Sequence, residues 1–288
     1  MGLLQNESRL SDQDIDRLTQ KALAIEPPVE TLERAWPLVE RYFLPTVVSI
    51  DKIPEEPTLF VGNHALFGID ALIFIVTTYH KTGRFVRPMA DKFFFETPLG
   101  EFLMKYGLVL ANPRLCAKLM DAGEDILVFP GGAAESTKPE KDKYTLHWRQ
   151  RFGFVRMAAQ HGYDIMPFGL VGPDDCYQHL IEGSELLDTR AGRMLTRWGL
   201  TEDLRDDILP PVALGLFNTP IPRPQPTFLA FGDPVEVPNY RGKNVPKGVL
   251  TSARAETAAQ IEALVRDMLL LRAQSNHRNS WLRRILLS

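Results

Sequence analysis

Hydrophobic and polar positions along this chain change period several times, and the changes mark out its elements. From Ser11 to Ile25 apolar residues recur at Ile15, Leu18, Ala22 and Ile25, one stripe of a helix that Ser11 is suited to cap. Pro27-Pro28 closes it. A second helical stretch over 30–43 carries Leu32, Ala35, Trp36, Leu38, Val39 and Phe43, disturbed at Pro37. Beyond it the pattern shifts to short apolar runs bounded by turn residues, which predict strands near 46–50, 58–62, 85–89, 107–111, 125–129 and 164–170, with helices between several of them. One such helix starts at Ile69 and continues through Leu72, Ile73 and Val76. Alternating strand and helix signals predict an α/β fold: one domain over 45–275, an N-terminal helical segment 1–44 packing on it, and a basic amphipathic tail, 276–288. No internal repeat or low-complexity segment interrupts the pattern.

Two segments carry candidate chemistry. Gly62 to Asp70 reads GNHALFGID, with Asn63-His64 at the C-terminal end of a predicted strand and Asp70 in the first turn of the following helix. In α/β folds ligands gather beyond such strand ends. One histidine and one aspartate, with no paired nucleophile, suit acid–base chemistry in which the attacking group belongs to the substrate. The competing reading is a core histidine and a helix-starting aspartate. A six-residue step on a continuous helix turns by about 240°, so pairing His64 with Asp70 requires His64 to precede the helix, with Gly68 taking up the slack. Asp91 and Glu135 are the alternative partners. The second segment, LVFPGGAAES, follows the strand at 125–129. The amides of Gly131 and Gly132 can approach an anion closely, either an oxyanion or a donor phosphate.

In this order and at this separation the two segments resemble the phospholipid/glycerol acyltransferase family, whose first signature is Asn-His followed shortly by Asp. The chain departs from the common pattern in having five residues, not four, between His64 and Asp70. The family's usual Phe-Pro-Glu-Gly-Thr-Arg has become Phe-Pro-Gly-Gly, with Gly131 in the Glu position and Ala134 in that of the phosphate-binding Arg. Phe-Pro-Gly-Gly followed by a glutamate resembles the diacylglycerol acyltransferase-like and phytyl-ester-synthase-like branch. WRQRFGFVRMAAQHGYDIMPFGLVG (148–172) and TFLAFGDPVEVP (227–238) extend that similarity over roughly 45–270. The resemblance implies a glycerol-acyltransferase-like domain with a mixed, mostly parallel sheet flanked by helices. It implies an acyltransferase with His64 and Asp70 as catalytic pair and Asn63, Arg114, Gly131, Gly132 and Glu135 around the substrates. The acyl thioester donor (acyl-CoA or acyl carrier protein) is a co-substrate, and no further cofactor or metal is implied. A lipid alcohol accepts the acyl group, with a neutral glycerolipid favoured because Ala134 offers no phosphate clamp. A glycerol-3-phosphate or 1-acylglycerol-3-phosphate acyltransferase, a hydrolase lacking a Gly-x-Ser-x-Gly elbow, and a non-catalytic lipid binder are the alternatives.

Composition narrows the setting. A formal net charge of −3 argues against nucleic acid as the main partner. Two cysteines, Cys116 and Cys176, give no metal or disulfide framework, and the polar, acidic N-terminus carries no apolar signal segment, so a cytoplasmic protein is expected. The apolar window from Leu59 to Val76 contains His64 and Asp70, which reads as a buried strand and helix rather than a span. Arg87, Lys92, Lys105 and Arg114 fall between the two motifs, and Arg149, Arg151 and Arg156 follow them. One or two of these are expected to meet donor phosphates or headgroups. For peripheral contact with the inner face of a membrane there are two candidates: residues 92–107, for which core packing is the rival reading, and the tail around Trp281, Leu282, Arg283, Arg284, Ile285 and Leu286.

Overall fold

A computed structural model of the protein describes residues 10–91, 95, 98–186, 189 and 211–275. Helix α1 (Asp12–Leu23) opens on a reciprocal cap: Asp14 N–H donates to Ser11 Oγ at 3.2 Å, and Ser11 N–H to the Asp14 carboxylate at 3.1 Å. Helix α2 (Val29–Phe43) runs unbroken through Pro37, where the sequence suggested a disturbance. Pro37 and Glu33 both lie on the exposed side, so the carbonyl that Pro37 leaves unbonded faces water. Leu44, in the left-handed region at φ 44°, ends the helix.

The strands are β1 (Thr46–Val48), β2 (Leu59–Gly62), β3 (Val86–Ala90), β4 (Val109–Leu110), β5 (Asp125–Val128), β6 (Ile165–Val171), β7 (Gln178–Ile181), β8 (Val212–Leu214) and β9 (Phe228–Phe231). Seven of them make one mixed, mostly parallel sheet in the order β1-β9-β6-β2-β5-β3-β4, in which β6–β9 is the antiparallel pairing. β7 and β8 form a separate antiparallel pair. Helices α3 (Ile69–Thr82), α4 (Pro98–Met104), α5 (Pro113–Asp121), α6 (Ala133–Ser136), α7 (Gly153–His161), α8 (Gly183–Leu186) and α9 (Lys247–Ser275) complete the described elements.

Alternation along the strands builds two cores. Phe60, Leu127, Met166, Phe168 and Phe231 point to one face, where Phe74 of α3 joins them and α2 packs behind. Leu59, Val61, Ile126, Ile165 and Ala230 point to the other, toward α5, α7 and α9, with α1 on α5. The buried stripe of α9 is Leu250, Ala253, Thr257, Ile261, Val265 and Met268. The helix lies tight against β6 at Gly169, where a Cβ would stand 2.8 Å from Leu264 Cβ and 3.0 Å from the Val265 backbone nitrogen. β2 lies between β5 and β6 and parallel to both, so their C-terminal ends open on one edge. Among the described residues no helix is long and apolar enough to cross a membrane. Phe95 packs against the second core, whereas Phe93, Phe94 and the tail 276–288 lie outside the described residues.

Candidate active site

β2 delivers Asn63 and His64 to that edge. The chain then makes a 3₁₀ turn over Leu66–Gly68, with Phe67 at φ 59° and Gly68 at φ 69°, before α3 begins. These two left-handed residues absorb the six-residue step and bring Asp70 back under His64. His64 Nδ1 lies 2.8 Å from Asp70 Oδ2, and the same oxygen accepts Ala65 N–H at 3.0 Å. Asp70 is buried in the first turn of α3, where a carboxylate faces the positive end of the helix dipole. Its Oδ1 is unpartnered among the described residues. The His64 ring stacks on Phe129 at 4.2 Å between centroids and 9° between planes, and its side chain keeps 15% exposure. With Nδ1–H donated to the carboxylate, the neutral ring presents Nε2 as its lone-pair nitrogen.

The loop after β5 lies against this pair. Gly132 adopts φ 54°, ψ −146°, which suits glycine alone, and Glu135 comes round to accept the His64 backbone N–H at 3.0 Å. Glu135 is fully buried, and burial outweighs the attraction of nearby Lys138 and pushes its carboxyl up to about 7. Lys138 donates to the His64 carbonyl at 2.6 Å and pairs with Asp174 at 3.1 Å, both side chains 4% exposed. Asp174 also accepts Tyr144 N–H at 2.7 Å. Next to it, Asp175 accepts from Tyr144 Oη and from Arg272 of α9, each at 2.6 Å.

Several residues singled out in the sequence have other work. Asn63 is turned into the sheet: Nδ2 donates to the Leu170 carbonyl and Oδ1 accepts Leu170 N–H, both at 2.9 Å, so it extends the β2–β6 pairing by one rung. Arg114 is taken up by the N-terminal helix region, donating to the Leu10 carbonyl at 3.0 Å and pairing with Asp12. Gly132 N–H is already donated to the Phe129 carbonyl at 2.9 Å, which leaves Gly131 N–H of the two glycine amides. Asp91 is exposed after the end of β3, and Asp70, not Glu135, meets the His64 ring. Arg151, by contrast, reaches the loop: its Nη1 donates to the Pro130 carbonyl at 3.1 Å. A cavity of about 420 Å³ opens beside Ala134 and is lined also by His147, Trp148, Arg149, Arg254 and Glu262. Lys138 was not singled out from the sequence. Its partner Asp174 stands 36 residues away, and no local pattern signals the pairing.

Residues 45–171 match the family model described as Acyltransferase. Phytyl ester synthase 1, chloroplastic, of Arabidopsis thaliana is 26% identical over 252 residues, 81% of this chain and 35% of that protein. Diacylglycerol O-acyltransferase 2B of Umbelopsis ramanniana is 27% identical over 152 residues, 50% of this chain and 42% of that one. The chain thus spans about a third of the length of the plant relative. The crystal structure of the 1-acyl-sn-glycerophosphate acyltransferase PlsC from Thermotoga maritima aligns over 86% of this chain and 87% of that one, at 14% identity and a TM-score of 0.45.

Proposed function

We propose that this protein, whose residues 45–171 match the Acyltransferase family model, moves a fatty acyl group from an acyl thioester, acyl-CoA or acyl carrier protein, to the hydroxyl of a neutral lipid alcohol. The observation that carries the reading is the His64–Asp70 contact at 2.8 Å, which leaves Nε2 without a partner among the described residues at the strand ends. Nε2 takes the hydroxyl proton as the acceptor oxygen bonds to the thioester carbon. The carbonyl electron pair moves onto oxygen, where Gly131 N–H is the glycine amide left to meet it. Collapse breaks the C–S bond, and the sulfur takes the proton back from Nε2, giving ester and thiol with no net proton change. A thiol of pKa near ~8.5 leaves readily, so this route needs no metal and no covalent enzyme intermediate.

The relatives named for phytyl ester and diacylglycerol chemistry support a neutral acceptor. So does Ala134, since losing one charge-assisted hydrogen bond costs about 1.5–3 kcal/mol. One observation favours a second reading, a phosphorylated acceptor such as glycerol 3-phosphate or lysophosphatidate: Arg151 Nη1 stands 2.9 Å from where a Gly132 Cβ would be, a guanidinium at the loop without the usual arginine. Thiol release from long-chain acyl-CoA is the test, run without acceptor and with monoacylglycerol, diacylglycerol, a long-chain alcohol, glycerol 3-phosphate or lysophosphatidate. Release that depends on neutral alcohols supports the proposal. Release driven by the phosphorylated acceptors alone selects the second reading. Acceptor-independent release means a hydrolase, and no release with any donor means a lipid binder.

A further inference from the structure

Two side chains of the β5 loop grip the backbone of residue 64 from both ends. Glu135 Oε1 accepts its N–H, and Lys138 Nζ donates to its carbonyl. Both are buried, and buried ions are costly unless each is engaged. Lys138 is engaged, with Asp174 beside it. Glu135 is engaged through one oxygen alone, because Oε2 has no partner among the described residues. An apolar residue would serve packing better at that position, so the carboxylate is there for the one bond it makes.

Gly131 explains how the carboxylate reaches this place. A Cβ on Gly131 would lie 1.9 Å from Glu135 Oε2, 2.4 Å from its Cβ and 2.8 Å from its Cδ, and these are its three nearest atoms. Gly131 is not among the residues at positive φ. Its backbone therefore does not ask for glycine; its neighbour does. The Glu135 side chain fills the volume in which a side chain at 131 would begin. In the Phe-Pro-Glu-Gly pattern that side chain is itself a glutamate.

We propose that the carboxylate has been transposed: Gly131 vacates the position, and Glu135, four residues on, fills it as a positioning residue. With Lys138 it fixes the His64 backbone, so that the ring keeps Asp70 on Nδ1 and meets the acceptor with Nε2. The proposal rests on His64 being the base, as argued above.

The test compares Glu135→Gln, Glu135→Ala, Gly131→Glu and the double variant Gly131→Glu/Glu135→Gly in the full chain. Each is read by kcat, by KM for acyl-CoA, and by the chemical shift and hydrogen exchange of the His64 backbone amide in NMR. Glu135→Gln retains an acceptor oxygen and keeps most of kcat. Glu135→Ala lowers kcat by about tenfold to a hundredfold at unchanged KM, and frees the His64 amide to exchange. Gly131→Glu alone collides with Glu135 and loses activity, while the double variant regains kcat above Glu135→Ala. A normal kcat in Glu135→Ala overturns the proposal, as does equal damage from Gln and Ala, or a folded double variant no better than Glu135→Ala. If the double variant does not fold, the Gln–Ala comparison decides. If the wild type turns over no donor–acceptor pair, the acyltransferase reading fails and the amide decides alone: a downfield, protected His64 N–H in wild type and Glu135→Gln but not Glu135→Ala supports the clamp, and the same signal in all three overturns it.

Discussion

At the scale of single residues, the proposed chemistry separates a base, His64, from the groups that hold it. His64→Ala removes the proposed base and leaves the β2 end intact, so transfer falls by about a hundred- to ten-thousandfold in a protein that still folds; a folded variant with normal turnover would reject His64 as base. Asp70→Asn is milder, because an amide oxygen can still accept from both Ala65 N–H and the ring while the charge that steadies the imidazolium is lost. Glu135 makes a pH prediction. Burial lifts its carboxyl from 4.5 in the unfolded chain to about 7, so between those values the folded state holds a proton the unfolded state has released. Stability from this group is full below about pH 4.5 and is lost as pH rises through 7, by up to ~3 kcal/mol. Glu135→Gln, which cannot ionise, therefore gains stability over wild type from pH 5 to pH 8 in urea unfolding, and a pH-independent gap would contradict the buried-charge account. The sequence made the need for a pre-helical His64 legible. Gly68, the glycine expected to take up the slack, does so at φ 69°, but the left-handed Phe67 beside it was not legible, because Phe at positive φ has no sequence signal. Glu135 was named as an alternative partner for the His64 ring, but its bond to the His64 backbone N–H, across 71 residues, was hidden.

At the scale of elements, the sheet's central strands were legible because each is a short apolar run between turn residues, buried on both faces. β7 and β8 were not foreseen. They are four and three residues long, only part-buried, and paired across a segment that gives no hairpin signal. The stripe of α9 was also missed, since Ala253 and Thr257 stand where larger apolar residues would have declared it. The helix crosses β6 at Gly169 through Leu264 and Val265. Gly169→Val would force Leu264 and the Val265 backbone away from β6, an overpacking cost of about 1–3 kcal/mol readable as a lowered urea midpoint. An unchanged midpoint would mean that α9 slides freely along the sheet.

At the scale of the whole molecule, the proposed acceptor fixes where the protein must work, since lipid alcohols reside in a bilayer. The tail 280–288 combines Trp281, Leu282, Ile285 and Leu286 with Arg283 and Arg284, and each arginine adds roughly 1 kcal/mol of attraction near an anionic surface. The full chain should pellet with phosphatidylglycerol vesicles more than a chain ending at Asn279, and salt should narrow the difference; equal pelleting would assign the tail to packing. A different consequence follows from the order in which the chain is made. β6 is complete at Val171, yet the helix covering one of its faces ends at Ser275. At ribosomal speeds that interval lasts on the order of 5–20 s. Throughout it a seven-residue apolar strand has no cover on that side, long enough for a nascent chain to meet a chaperone or another nascent chain. Helix α9 thus sets how long that face of β6 stays open to aggregation during synthesis.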